Sequence, residues 1–506
     1  MSKQMPQHPE SYWRDSTKAR TSKHLDQDVK ADVGIVGGGI TGITAAYLLS
    51  KQGKKVALID AGPLFNGTTG HTTAKITAQH GIVYHTFIEQ FGLDKAASYY
   101  QANKEAMDFI NTTIEEEKID CDYTEENAYI YTNSDKYVAK LEKEKQAYDQ
   151  IGIHGALLDD IPLDFSVKKA LKMDNQAHFH PLKYLNHLVD VIQKNGGDIY
   201  ENTTAIDVEY SDHPHIITRN GHRVVCDHVI VASHFPFVDG EGFYFARMYP
   251  SRSYLMAIEP KKEFPGGMYI NAEQPSRTIR YVNIDGKDAL LVGGEKHKTG
   301  QGKPEIEHYQ EIEKFAETHF GINNYLYRWS AQDLTTLDKI PYVGRITSDQ
   351  PELLVATGYM KWGMTNGTAA AKLLTDLILG EENPYEELYD PSRFHAQPDL
   401  KKFAEINGDV AKHMLKGKLE FTGKRVEDLQ EDEGQIIRIK GKRTGAYRDK
   451  QGKVHLVDTT CTHLGCEVNW NSGDRTWDCP CHGSRFSVTG EVIEGPAQKP
   501  LTKYND

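Results

Sequence analysis

Apolar and polar positions follow two regimes along this chain. Up to about residue 385, continuous apolar runs alternate with helical patterns; from residue 418, short β-like runs alternate with turns. Ala31-Asp-Val-Gly-Ile-Val36 has the pattern of a buried strand, and Gly37-Gly-Gly39-Ile-Thr-Gly42 follows it as a turn. Residues 43–49 then predict a helix, and Lys55-Val-Ala-Leu-Ile-Asp60 predicts a second strand ending in an acid. A helix is predicted over 180–192, with Pro181 in its first turn and Asn195-Gly-Gly197 after it. Residues 198–200, 204–209 and 228–232 predict further strands of the same sheet. Residues 336–344 and 353–365 follow further on, and a helix is predicted over 369–379. The charged helical stretch 94–145 reads as a solvent-facing lid. Charge and proline rise over 381–391, and the chain to Gly417 reads as a tail helix and connector. Runs such as 435–439 and 453–457 predict an antiparallel platform with a hairpin turn over 445–452. No internal repeat is visible.

Strand, glycine turn, helix, strand and acid together are the context a dinucleotide fingerprint requires. Gly37 permits the tight turn, Gly39 lets the backbone approach a pyrophosphate, and Gly42 lets helix pack on strand; Gly38 lies between them. The pyrophosphate belongs at the helix N-terminus, and Asp60 takes ribose hydroxyls. A glycine-rich turn that binds nothing is the alternative. Only one complete fingerprint occurs.

Composition changes the picture by exclusion. The 506 residues have room for three or four domain-sized units, and the net charge is −13 with no polybasic run. Nucleic acid and anionic membrane are therefore poor partners. The polar N-terminal segment has no apolar signal core, and no stretch is long and apolar enough to span a bilayer. Cys121 and Cys226 read as inert buried thiols. The expected compartment is the cytoplasm.

Cys461-Thr-His463-Leu-Gly-Cys466 and Cys479-Pro-Cys481-His482-Gly-Ser484 carry the clearest chemistry. Each block offers a thiolate and an imidazole, which suits a [2Fe–2S] cluster held by two Cys on one iron and two His on the other. Zinc fingers space their Cys and His pairs differently. The blocks resemble the Rieske family. That resemblance implies Cys461 and Cys479 on one iron, His463 and His482 on the other, and a Cys466–Cys481 disulfide. Ser484 matches a hydroxyl that hydrogen-bonds a bridging sulfide in high-potential members. Phe486 stands where those members have Tyr, which implies a potential below the top of the roughly −150 to +300 mV range.

Gly67-Thr-Thr-Gly-His71-Thr-Thr-Ala-Lys75 and Leu353-Leu-Val-Ala-Thr-Gly358-Tyr-Met-Lys361-Trp362-Gly363-Met364-Thr365 complete the picture. With the fingerprint, these segments resemble the D-amino-acid-oxidase-like FAD family, which includes glycine and sarcosine oxidases and γ-glutamylputrescine oxidase. The resemblance implies an α/β fold: a Rossmann-like FAD/NAD(P)-binding domain with a mixed-sheet substrate domain, here joined to a C-terminal all-β Rieske domain. It assigns Gly37, Gly38, Gly39, Gly42 and Asp60 to the adenosine diphosphate half. Thr68, Thr69, His71, Thr72, Thr73, Gly358, Gly363, Met364 and Thr365 go near the flavin ring. His71 also resembles the His bonded covalently to flavin in dimethylglycine dehydrogenase. The family's carboxylate-binding Arg is replaced by Asp333, which favours an ammonium group or is simply salt-bridged. Arg252, Arg277, Arg280 and Arg345 remain as carboxylate partners elsewhere. Candidate catalytic residues are His71, Lys361 and Asp333.

The expected layout is a polar segment over 1–27, an FAD-dependent oxidoreductase over 28–385, a connector over 386–417 and a Rieske domain over 418–506. The flavin domain is discontinuous, about 28–90, 175–235 and 330–385. The expected activity is oxidation of a small amine or amino-acid-like substrate at C–N. Electrons pass from FAD to the cluster and on to an external protein or quinone, so the enzyme is a dehydrogenase more than an oxidase. This route calls for a mobile connector and exposed His463 and His482. An NAD(P)H-driven reductase, which needs a second dinucleotide site, and a non-enzymatic redox sensor are the alternatives.

Overall fold

The computed structural model describes residues 3–18, 20, 23–210, 212–419 and 425–504. A six-stranded sheet runs in the order Tyr342–Arg345, Leu353–Thr357, His228–Val231, Val33–Val36, Val56–Ile59, Asp198–Tyr200. Its strands are parallel except the first, which pairs antiparallel with Leu353–Thr357. Val33–Val36 and Val56–Ile59 are buried on both faces, which explains their unbroken apolar runs. Helices Ile40–Lys51, Pro181–Lys194 and Gly363–Leu379 cover this sheet. Strand Ala205–Tyr210 lies outside it, in a four-stranded flank with Val29–Lys30, Pro214–Thr218 and Arg223–Val225. The expectation that 204–209 continues the parallel sheet is corrected; its half-exposed alternation fits a flank.

A nine-stranded mixed sheet forms the second layer, with its long strands Ile322–Thr336, Met248–Pro260 and Lys287–Lys298 side by side from one edge. The stretch expected to be a lid is part of the core. Helix Leu93–Glu116 packs against Gly363–Leu379 and buries Ala96, Tyr99, Ala102, Ala106 and Ile110 along one stripe. Its charges occupy the opposite face.

The C-terminal domain is two four-stranded antiparallel sheets. The predicted hairpin turn at 445–452 starts too early: Lys442–Arg448 is a strand, and the turn lies at Asp449–Gly452. Gly445 serves packing, because a Cβ there would come within 3.0 Å of Trp477.

The connector is neither extended nor loose. Arg393 grips Asp338 through both carboxylate oxygens at 2.8 and 3.0 Å. Helix Ala396–Leu419 follows, its Asp409 receiving Lys298 at 2.8 Å and Gln301 at 2.9 Å. The polar N-terminal segment is also anchored: Trp13 is buried and donates to the Thr72 carbonyl at 2.8 Å. No helix among the described residues is long and apolar enough to cross a membrane.

Candidate functional site

The carboxyl ends of the parallel strands open on a cavity of about 570 Å³. Gly37 and Gly38 form its floor at one end, and helix Ile40–Lys51 starts there from Gly39. Gly37 sits at φ +112°, and a Cβ would lie 2.4 Å from the Ala232 carbonyl oxygen. A Cβ on Gly42 would lie 2.0 Å from the Gly37 carbonyl oxygen, so glycine sets how closely helix and turn approach. Asp60 accepts from the Gly38 N–H at 2.7 Å and the Gly62 N–H at 2.9 Å. Burial pushes its acid up to about 6, against those two N–H groups and helped by Glu201. A helix N-terminus with no side-chain bulk in front of it and an acid beside it fits the ribose–pyrophosphate portion of a dinucleotide.

The threonine-rich segment forms a tight 3₁₀ turn, Thr68–His71, across the cavity. Thr69 Oγ1 accepts from the Ile40 N–H at 3.1 Å, and Thr68 Oγ1 donates to the Gln332 carbonyl at 2.8 Å. His71 Nδ1 donates to the Gly67 carbonyl at 2.9 Å, which leaves Nε2 as the ring's other nitrogen. Burial lowers its pKa, so the ring is neutral at pH 7. Thr72, Thr73, Gly363 and Met364 also line the cavity. Gly358 and Thr365 do not: Gly358 packs on Thr336, and Thr365 bonds His80 at 3.1 Å behind the wall. These two, expected near the flavin ring, stand behind residues that line the cavity rather than in the lining itself.

Asp333 and Lys361 meet at 3.5 Å, and Lys361 also bonds Ser253 Oγ. Asp333 therefore faces its own ammonium partner. None of the four arginines offered as carboxylate partners is free. Arg252 pairs with Glu494, Arg277 with Glu295 and Arg345 with Glu386, while Arg280 donates to three carbonyls. Lys75 lines the cavity and lies near Tyr269 O and Thr278 Oγ1, with burial, then Arg280, lowering it to about 7. Sequence reasoning missed Tyr254, His234 and Phe235 as lining residues, because no motif marks them, and gave no role to Lys75 at the end of the Gly/Thr-rich segment.

The second centre lies in the C-terminal domain. Cys461 and Cys479 are free and buried, and Cys466 is joined to Cys481. The rings of His463 and His482 stand 5.0 Å apart. His482 Nδ1 is buried with no partner among the described residues. Two thiols and two imidazoles, one with an orphaned nitrogen, fit the Cys₂His₂ demand of a Rieske cluster. Ser484 Oγ accepts from the Ala497 N–H at 3.0 Å, bringing a third loop over the site. His482 is not exposed: 3% of it is accessible, and Phe245 packs against both histidine rings at 6.2 and 5.8 Å. Phe235, which lines the cavity, touches the His463 ring at 6.3 Å.

A buried charge cluster binds the two domains. Arg252, fully buried, donates to Glu494 at 2.9 Å and lies 3.7 Å from Asp474. Arg485 bonds Glu494 at 2.9 Å and Asp474 at 3.0 Å. Burial alone would raise Glu494; Arg252 and then Arg485 overcome it and hold the acid at about 2. Gln332, beside Asp333, donates to the Gly483 carbonyl at 3.0 Å.

Comparison with known proteins agrees with both centres. The profile of the family described as DAO, FAD dependent oxidoreductase, matches residues 32–377, and that of the Rieske [2Fe-2S] domain matches residues 421–505. A Bacillus subtilis (strain 168) protein named for a Rieske 2Fe-2S iron-sulfur centre, YhfW, is 50% identical over 98% of both chains. The gamma-glutamylputrescine oxidoreductase of Escherichia coli (strain K12) is 25% identical over 76% of this chain and 92% of its own. The structure of glycine oxidase from Geobacillus kaustophilus superposes with a TM-score of 0.60 at 18% identity, covering 72% of this chain and 99% of that one.

Proposed function

We propose, because this chain belongs to the DAO family of FAD-dependent oxidoreductases and ends in a Rieske [2Fe-2S] domain, that it oxidises a small amine or amino-acid-like substrate at C–N and hands the electrons out through its own cluster. When bound, FAD supplies two-electron chemistry and the cluster one-electron chemistry. The observation that carries this reading is the shared wall between the two centres. Phe235 lines the cavity and touches the ring of His463, and Gln332 joins the Asp333 side of the cavity to Gly483, next to His482. The names of two relatives, gamma-glutamylputrescine oxidoreductase and glycine oxidase, support the amine or amino-acid class.

In this reading Gly37–Gly39 and Asp60 hold the adenosine diphosphate half of FAD, and the 68–73 segment with Gly363 and Met364 surrounds its ring. Lys361 and Asp333 form a pre-assembled ion pair beside the substrate position. A neutral amine can then enter without meeting an unpaired charge. Cys461, Cys479, His463 and His482 hold the cluster. The final acceptor is an external protein or quinone, and we place the reaction in the cytoplasm. Oxygen is a slow acceptor beside a one-electron dye. The test is an anaerobic titration with primary amines, secondary amines and amino acids, following flavin and cluster absorbance separately, with NADH as a parallel arm. Bleaching of both centres by an amine or amino acid is the expected result. Rapid bleaching by NADH alone overturns the direction proposed.

A further inference from the structure

Residues 492–498 belong to the C-terminal domain by chain and by fold. Strand Val492–Glu494 pairs with Arg485–Phe486, next to the second ligand loop. All seven nevertheless line the cavity whose other walls carry Gly37, Asp60 and Lys361. We propose that this segment is part of the flavin-binding site, and that flavin and cluster therefore bind cooperatively in one chain. The proposal rests on the reading that the cavity holds FAD.

Three observations support it. First, the segment is fixed to the flavin body at both ends. Glu494 is paired with buried Arg252 at 2.9 Å. Gln498 donates to the Phe237 carbonyl at 3.2 Å, and its own carbonyl accepts from Arg219, another cavity residue. Second, the segment runs along the cavity wall: Glu494 shares the lining with His71 of the threonine turn, and Gln498 meets Arg219, another lining residue. Third, the segment is tied to the second ligand loop, and the residue that follows it, Lys499, to the first. Ala497 N–H donates to Ser484 Oγ at 3.0 Å, and Thr462 Oγ1 donates to the Lys499 carbonyl at 2.5 Å. Ser484 follows ligand His482 by two positions, and Thr462 lies between ligands Cys461 and His463. A cluster that orders the two ligand loops also orders this wall, and a flavin against the wall orders the loops. Coupling of this kind is reciprocal, and ordinary coupling between sites spans about 5–150-fold in affinity.

The experiment uses the full chain stripped of flavin. Hydrogen–deuterium exchange is recorded with and without FAD. Protection is expected at 492–498 as well as at the glycine turn. Separately, the FAD dissociation constant is measured by fluorescence quenching for the cluster-loaded chain, for the chain after iron removal by a chelator, and for His482→Ala. Circular dichroism checks that each keeps its helices and sheets. Loss of the cluster should weaken FAD at least about fivefold. Protection confined to the glycine turn and the 68–73 and 359–364 segments overturns the wall. Equal FAD affinity with and without cluster overturns the cooperativity. A chain that binds no FAD at all overturns the parent reading instead, so the two failures are distinguishable.

Discussion

Replacing Arg252 by Met removes one cation from the charge cluster that joins the two domains. Its cost follows from what remains. Glu494 is held at about 2 against an ordinary 4.5, and its side chain is 24% exposed, at the cavity it lines. A depression of that size contributes ~3 kcal/mol at neutral pH. That figure belongs to Arg252 and Arg485 together, since both bond Glu494 at 2.9 Å. The sign is fixed by the direction. Because the folded-state value is depressed, the stabilisation is complete above about pH 4.5 and disappears as pH falls towards 2. The assay is urea unfolding of wild type and Arg252→Met at pH 7 and pH 3. Arg485 stays on Glu494, so only the Arg252 share is lost: the transition of the C-terminal domain should weaken by ~1–2 kcal/mol at pH 7, and the gap should narrow to below about 1 kcal/mol at pH 3. A shift within about 0.5 kcal/mol at pH 7, the range of ordinary surface substitutions, refutes the reasoning. It would mean that the two domains dock without help from these charges.

Three further outcomes are expected. His482→Ala should lose the Rieske-type electron paramagnetic resonance signal; bound zinc or a four-thiolate spectrum in the wild-type protein would contradict the ligand set. FAD affinity should fall as pH drops through about 6, because protonated Asp60 accepts ribose hydroxyls poorly. Asp60→Asn should bind FAD more weakly by ~1–3 kcal/mol at pH 8 and show no such step; an unchanged affinity would confine Asp60 to bracing the Gly38–Gly62 turn. Acid precipitation tests whether His71 bonds the flavin: fluorescence retained in the pellet supports the bond, and flavin wholly in the supernatant excludes it.

The parts of the site legible in the sequence are those where backbone geometry or ligand spacing leaves little choice. Gly37 and Gly42 are demanded by contacts of 2.4 and 2.0 Å, and such glycines leave a fixed pattern. The Cys and His of the two loops are likewise read by spacing. The docking surface was illegible, because Arg252, Asp474 and Glu494 look like ordinary surface charges until a second domain buries them. The expected lid failed for a similar reason. In Leu93–Glu116 the charges are conspicuous, while Ala96, Ala102 and Ala106 contribute little apolar signal yet face the core. The connector's acids, read as solvated, are partners instead: Asp399 receives the His395 N–H at 2.7 Å, and Asp409 holds Lys298.

The seam between the domains also has a history in time. Arg328 donates to the carbonyls of Pro6 and Gln7, and Arg475 reaches the same Gln7 carbonyl across 468 residues. Translation at about 5–20 residues per second separates these partners by roughly 20–90 s. Throughout that interval the flavin body exists on the ribosome without residues 492–498 and with its early segment half-anchored. A flavin captured then would sit in an open trough and exchange freely with the cellular pool. On the proposed wall, retention would begin only once residues 492–498 emerge and fold over the flavin, so the order of synthesis would delay commitment of the costly cofactor until the iron–sulfur domain is present.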